Sequence, residues 1–226
     1  MITRKCNLNC SFCKIKRANR LKNELNLEEW KKGLKKLENI GIKSIQILGG
    51  EPTTSTWLED LIIFLNNETN LFYSIESNST FEDKRFNSLL NAGIKGYCGD
   101  INIFNFAQKK DWYAIKANKG LNMLLRMKKS GVPYIEASII INRRNIKEIS
   151  FIVKKLSKRG IYSNLIPVHY GNAYKWEFRA EDIADEFKIK KEDKPLVERT
   201  MNELIKMKEQ GFKIINKKNI LKILPK

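Results

Sequence analysis

The chain has 226 residues, 42% hydrophobic and 30% charged, enough for a sizeable core as one domain or at most two small ones, and too apolar for disorder to be the default. Its longest apolar runs, such as Leu61 to Leu65 and Ile139 to Ile141, fall far short of the roughly 20 residues of a membrane-spanning helix. The first residues also lack the apolar run of a secretory signal, so no membrane span is expected and the cytoplasm is the expected compartment. Forty-three Lys and Arg against 25 Asp and Glu give +18, a balance that raises nucleic acid as a partner. Thirty-three of these are Lys, spread along helices as in Lys31, Lys32, Lys35 and Lys36, without the aromatic interleaving of a stacking platform. Solvated helix faces are therefore favoured over a polyanion site.

In chain order, a short strand near residues 1 to 4 leads directly into Cys6, Cys10 and Cys13. A helix is predicted near 27 to 40, with Leu27, Trp30, Leu34 and Leu37 on one face. Asn26 and Glu29 open it as a capping box, each side chain satisfying a free N–H of the first turn. Strands follow near 43 to 48, 71 to 77, 94 to 101, 134 to 141 and 161 to 168, alternating with helices near 56 to 66, 82 to 92, 115 to 130 and 145 to 159. The last helix repeats the pattern, with Asn145 and Glu148 as a second capping box and Ile146, Ile149, Val153 and Leu156 as its apolar stripe.

Five helices end at a glycine followed by an apolar residue: Gly41-Ile42, Gly93-Ile94, Gly131-Val132, Gly160-Ile161 and Gly211-Phe212. Glycine just past a helix supplies a left-handed residue, and the apolar run after it reads as a buried strand. Six strands separated by helices specify a parallel sheet, either curled toward a β/α barrel or open and doubly wound. In both, ligands belong at the C-terminal strand ends. Beyond about residue 170 come Tyr174, Trp176 and Phe178, an acidic patch from Glu181 to Glu186 and a helix from about 193 to 210. With no linker between them, residues 169–226 read as an extension packed on the domain of residues 1–168.

Three cysteines in eight residues, with Cys98 far away, make a poor disulfide framework and a good ligand cluster. Zinc would need a fourth ligand, and His169 is the chain's only histidine. An iron–sulfur cube held by three thiolates keeps one iron open, and is favoured. The alternative is a non-catalytic iron–sulfur or zinc module that binds nucleic acid.

The Cys-x3-Cys-x2-Cys loop, with Phe12 before its last cysteine, and Gly49-Gly50-Glu51-Pro52 closing the second predicted strand together resemble the radical S-adenosylmethionine (SAM) enzymes, over roughly residues 1 to 168. The resemblance implies a partial (β/α)6 TIM-like barrel with a C-terminal helical extension, one 4Fe-4S cluster on Cys6, Cys10 and Cys13, and SAM on the fourth iron. It implies that the main chain of Gly49, Gly50 and Glu51, in the motif that Pro52 completes, holds the SAM amino end, and that Phe12 lies near the adenine. Ser77 and Asn78 stand where the family often shows Thr-Asn-Gly. With Ser138, Asn142, Val168 and either Arg143 or Arg144, whose fork suits a carboxylate, they are the expected SAM contacts.

The implied chemistry is reductive cleavage of SAM to a 5′-deoxyadenosyl radical that abstracts hydrogen from a substrate, fed by a donor such as flavodoxin or ferredoxin. A peptide or small molecule is the favoured substrate, with RNA as the alternative. Three departures stand out: the first strand is short, Ser79 replaces the family's glycine, and no cysteine follows Cys98, so no auxiliary cluster is expected. The segment from 206 to 216 looks like what often precedes an auxiliary-cluster region, as in a longer parent.

Strand alternation supplies the pocket. If Asn78 points to the lumen, so do Ser74 and Glu76, and Glu136 accompanies Ser138. Glu76 and Glu136 should then meet a polar substrate, or one of them pairs with Lys or Arg at the barrel base. Cys98 and Asp100 share a face, with Cys98 a candidate hydrogen-atom donor. His169 closes the sixth strand near adenine or substrate.

Overall fold

The computed structural model describes residues 1–10, 24–101, 112–167 and 185–223. Five strands, β1 (Ser44–Ile47), β2 (Phe72–Ser77), β3 (Gly96–Asp100), β4 (Tyr134–Ile141) and β5 (Tyr162–Pro167), pair in parallel in chain order. A doubly wound sheet reverses its strand order at a switch point; this sheet never does, so of the two predicted architectures it is the partial barrel. The crossovers carry α2 (Leu58–Glu68), α3 (Asp83–Asn91), α4 (Trp112–Lys129) and α5 (Ile149–Lys158), while α1 (Leu27–Asn39) precedes β1. The five junction glycines all have positive φ, from 68° to 94°, the left-handed conformation that the helix-to-strand reading requires.

The expected first strand takes a different form. Residues 2 to 5 run beside the end of β1 and beyond it: Ile2 N–H donates to Leu48 at 2.8 Å, Gly50 N–H to Thr3 at 2.7 Å and Glu51 N–H to Lys5 at 2.7 Å. They thus occupy a sixth-strand position without pairing with β1 itself. The opposite edge, on β5, is covered by the run that follows the Gly211-Phe212 junction. Ser163 exchanges main-chain bonds with Lys213 and Ile215 at 2.8 and 2.9 Å, and the Asn216 side chain bonds both main-chain groups of Leu165 at 2.8 Å. Covering an exposed edge removes a template for unwanted pairing. The chain then ends its described part in α6 (Lys194–Glu209) and α7 (Lys218–Ile223), α6 being tied to α5 by the 2.8 Å bond from Ser150 to Glu203.

Alternation divides the strands into two faces. Tyr73, Ile75, Tyr97, Ala137, Ile139 and Leu165 are buried against the helices with Leu61, Leu65, Leu124 and Val153, each large apolar side chain contributing roughly 1.5–3 kcal/mol. The other face carries Gln46, Ser74, Glu76, Cys98, Asp100, Glu136, Ser138 and Asn164. An ordinary barrel interior is filled by Val, Ile and Leu; this one is polar.

Two local expectations are corrected. Asn26 and Glu29 form their capping box, at 3.0 and 2.8 Å, but Asn145 does not start α5. Its side chain accepts from Asn142 N–H at 2.9 Å and donates to Ile140 at 2.7 Å, so it serves the end of β4 and the helix begins at Ile149. Leu37, placed on the apolar face of α1, is exposed.

Candidate active site

The cysteine loop is anchored at the C-terminal strand ends. Glu24 closes it from the far side, accepting from Arg4 N–H at 2.6 Å and Thr3 Oγ1 at 3.1 Å. Cys6 and Cys10 are partly exposed, and Cys6 Sγ accepts the Leu8 N–H at 3.4 Å. Gly49 and Gly50 press against the same stretch: a Cβ on Gly49 would stand 2.5 Å from the Thr3 carbonyl oxygen, and one on Gly50 would collide with the carbonyls of Arg4 and Lys5. These glycines therefore admit the chain's own main chain beside Cys6.

Glu51 is buried, and its carboxylate is fully used. It accepts from Thr53 N–H at 3.2 Å, Thr53 Oγ1 at 2.7 Å, Ser77 Oγ at 2.8 Å and Asn78 N–H at 2.7 Å. Burial pushes its pKa up, and these bonds oppose the rise. Its side chain thus ties the end of β1 to the end of β2, while its carbonyl receives Thr54 N–H at 3.0 Å within the 3₁₀ turn Pro52–Thr54. Among the described residues the carbonyls of Gly49 and Gly50 accept no hydrogen bond.

Ser79 adopts φ 62°, the left-handed conformation that glycine takes without penalty and that costs other residues roughly 1–2 kcal/mol. The turn survives the missing glycine because Ser79 N–H bonds Ser77 Oγ at 3.0 Å and its hydroxyl meets Tyr97 OH at 2.7 Å. Ser77 is held on Glu51. Asn78 turns to the cysteine loop, donating to Asn7 Oδ1 at 2.8 Å with its amide nitrogen 3.9 Å from Cys6 Sγ, while Thr80 N–H and Oγ1 hold its carbonyl at 3.0 and 2.6 Å. Asn7 and Thr80 carried no sequence signal.

Below lies the concave face. Register places Glu76, Cys98 and Glu136 in one row across β2, β3 and β4, and Asp100 with Ser138 in the row above. Gly99 faces α4, where an added Cβ would strike Leu124, so Cys98 faces away from the helices. Burial first, and then the negative charges of Glu136, Glu76 and Asp100, hold Cys98 well above the ordinary thiol pKa, leaving it protonated. Burial first, and then the charges of Asp100, Glu136 and Glu51, raise Glu76 from 4.5 to about 7 against the opposing pull of the Ser138 hydroxyl. Tyr134 OH donates to Glu136 Oε2 at 2.6 Å, but Glu136 Oε1 is buried without a partner. Among the described residues no Lys or Arg pairs with Glu76 or Glu136 at the base.

The cation at this site is Lys116, buried, 2.8 Å from Asp100. Burial works against its charge, but Asp100 and the nearby Cys10 raise its pKa overall. The arginines expected there point elsewhere. Arg143 meets Glu192 and Asp193 at 3.1 Å each, and Arg144 meets Glu186 at 3.4 Å. Asn142 is spent on its own turn, donating to Ile140 at 2.9 Å and accepting from Arg144 N–H at 3.0 Å. Lys116 was missed because a lone Lys in a Lys-rich helix has no distinguishing sequence pattern. Phe12, Cys13, Val168 and His169 lie outside the described residues.

A partial parallel barrel with a thiol loop and a glycine pair converging at its C-terminal strand ends defines an α/β enzyme built around an inorganic centre. The chain belongs to the radical SAM superfamily, whose family profile matches residues 1–183 and whose enzymes use a 4Fe-4S cluster and SAM. It is 26% identical to GTP 3′,8-cyclase of Aquifex aeolicus (strain VF5) over 82% of this chain and 60% of that protein. It is 24% identical to the sporulation killing factor maturation protein SkfB of Bacillus subtilis (strain 168) over 71% and 39%. The chain thus spans less than two thirds of either relative. Its fold matches Streptococcus suis SuiB bound to the precursor peptide SuiA, with a TM-score of 0.69 at 17% identity over 94% of this chain and 46% of that one. SuiB bound to SAM matches at 0.68 and 18%, over 92% and 47%. No helix among the described residues is long and apolar enough to cross a membrane.

Proposed function

We propose that this protein is a radical SAM enzyme acting on a peptide or small molecule, with one 4Fe-4S cluster on Cys6, Cys10 and Cys13. The observation that carries the reading is the convergence of the Cys6 loop, Gly49, Gly50 and Asn78 above a polar concave face. The donor set fits, since iron–sulfur clusters are held by thiolates. The Gly49 and Gly50 carbonyls would hold the SAM ammonium, Lys116 its carboxylate and Ser138, with its buried hydroxyl, its ribose. When bound and reduced, the cluster supplies the electron that cleaves SAM. The chain's residues position both partners and exclude water. Flavodoxin or ferredoxin is the proposed donor, and a reducing cytoplasm the proposed compartment. Residues 1–168 form the catalytic barrel and 169–226 its extension.

Cys98 is proposed as a hydrogen-atom donor: its S–H bond breaks to quench a substrate radical, and the resulting thiyl is restored by an electron from the same donor and a proton. Its protonated state favours this role. Peptide substrates are supported by the complex of the structural neighbour SuiB with its precursor peptide SuiA. RNA is the second reading, favoured only by the +18 charge, and binding that collapses with added salt would support it.

Anaerobic reconstitution followed by dithionite reduction tests the proposal. Methionine and 5′-deoxyadenosine should form, and Cys6→Ala, Cys10→Ala or Cys13→Ala should each lose both cluster and cleavage while Cys98→Ala keeps its iron. Full iron in a triple Cys6, Cys10 and Cys13 variant overturns the ligand assignment.

A further inference from the structure

Among the described residues, two carboxyl groups of the concave face have no cation beside them. Of that face's four buried or half-buried carboxylates, Asp100 is paired with Lys116 and Glu51 accepts four hydrogen bonds. Glu76 and Glu136 have no cationic partner among the described residues, and Glu136 Oε1 is buried without a hydrogen bond. In a chain of net charge +18 with 43 Lys and Arg, cations were plentiful, yet none of the described ones fills this place. A buried carboxylate oxygen without a partner is costly, and the cost is removed when a ligand brings the missing charge.

Position says which ligand. Glu76 and Glu136 flank Cys98, which is buried and bears no charge, so they sit two strand spacings apart, about 10 Å between main chains. Long carboxylate side chains can close on one small cation from both sides of that gap. This row is two residues, roughly 6–7 Å along the strands, below the row of Asn78, Asp100 and Ser138 that borders the cysteine loop. Tyr162 continues this row on β5, and Tyr134, two residues lower on β4, stacks on it with centroids 5.9 Å apart and meets Phe72 edge-on at 5.5 Å, an aromatic border suited to an alkyl stem or a cation's face.

We propose that the Glu76–Cys98–Glu136 row is a subsite for a cationic side chain of the substrate, an ammonium or guanidinium held between the two carboxylates. The inference rests on the radical SAM reading and specifies the substrate class of that same site.

The test uses reconstituted protein with SAM bound, titrated calorimetrically with Nα-acetyl-lysine methylamide and with its neutral isostere, Nα-acetyl-norleucine methylamide. The lysine probe should bind about tenfold more tightly. Glu76→Gln and Glu136→Gln should each remove most of that preference, and the double variant all of it, with circular dichroism and iron content confirming that the isosteric variants fold. A lysine probe that binds no better than norleucine, or a preference that survives in the double variant, overturns the subsite. Variants that lose SAM affinity instead would assign the carboxylates to the SAM sulfonium and overturn it equally. Absence of cluster and SAM binding in the unaltered protein would instead overturn the radical SAM reading.

Discussion

Asn78 reaches from the end of β2 to the cysteine loop, its amide nitrogen 3.9 Å from Cys6 Sγ and 2.8 Å from Asn7 Oδ1. Hydrogen bonds to the sulfurs of an iron–sulfur cluster are one of the protein's levers on its potential. Asn78→Leu, which keeps the volume and removes the donor, should lower the cluster midpoint by about 40 mV, the one-electron equivalent of a bond worth ~1 kcal/mol. Redox titration followed by electron paramagnetic resonance reads this directly. An unchanged midpoint would show that the contact with Cys6 has no electronic weight.

Gly50→Val is expected to cost the cluster together with SAM. A glycine that served SAM alone would, when replaced, spare a cluster on a separate loop. In the structure the added Cβ runs into the Arg4 and Lys5 carbonyls immediately before Cys6, so the loop must move. Iron analysis and calorimetry on the same sample decide the matter, and full iron with lost SAM affinity would contradict the main-chain contact as the reason for glycine.

Elements set by repeating local chemistry were legible in the sequence. Helices that end in left-handed glycines, the Asn26 capping box and the two-residue alternation that gathers Glu76, Cys98 and Glu136 all depend on neighbours in the chain. What escaped was tertiary competition for the same side chains. Asn145 does not start α5, because its side chain engages Asn142 and Ile140. Glu51 staples β2 across 26 residues of sequence, and Asn216 covers β5 from 51 residues away. Such bonds leave no periodicity for a sequence reading to find.

Glu76 gives the protein a pH-dependent stability. Its surroundings include Asp100, Glu136 and Glu51 as negative groups, the neutral thiol of Cys98, and Lys116 bound to Asp100. Its pKa of about 7 in the folded chain, against an ordinary 4.5, means that the folded state holds the proton more tightly than the unfolded one. Stability from this group is therefore fully present below about pH 4.5 and is lost as pH rises to about 7, by up to about 3 kcal/mol. Glu76→Gln cannot titrate, so its melting temperature relative to the unaltered apoprotein should climb between pH 5 and 8. A constant difference across that range would place Glu76 in a wetter setting.

Lys116 and Arg143 offer opposite outcomes for the SAM carboxylate. Sequence resemblance favoured an arginine after β4, whose fork matches a carboxylate. Arg143 is already held by Glu192 and Asp193 at a half-exposed position, while Lys116 is buried beside Asp100 within electrostatic reach of Cys10 and Glu51. Lys116→Met keeps the length of the side chain and removes the charge, so it should weaken SAM binding by at least about tenfold, because a desolvated charge pair contributes far more than a rim contact. Arg143→Ala should change SAM affinity less than about twofold and stability by at most ~1 kcal/mol, as partly solvated ion pairs do. Calorimetric titration of the reconstituted variants with SAM separates the two residues, and a large loss in Arg143→Ala with little in Lys116→Met would restore the arginine assignment.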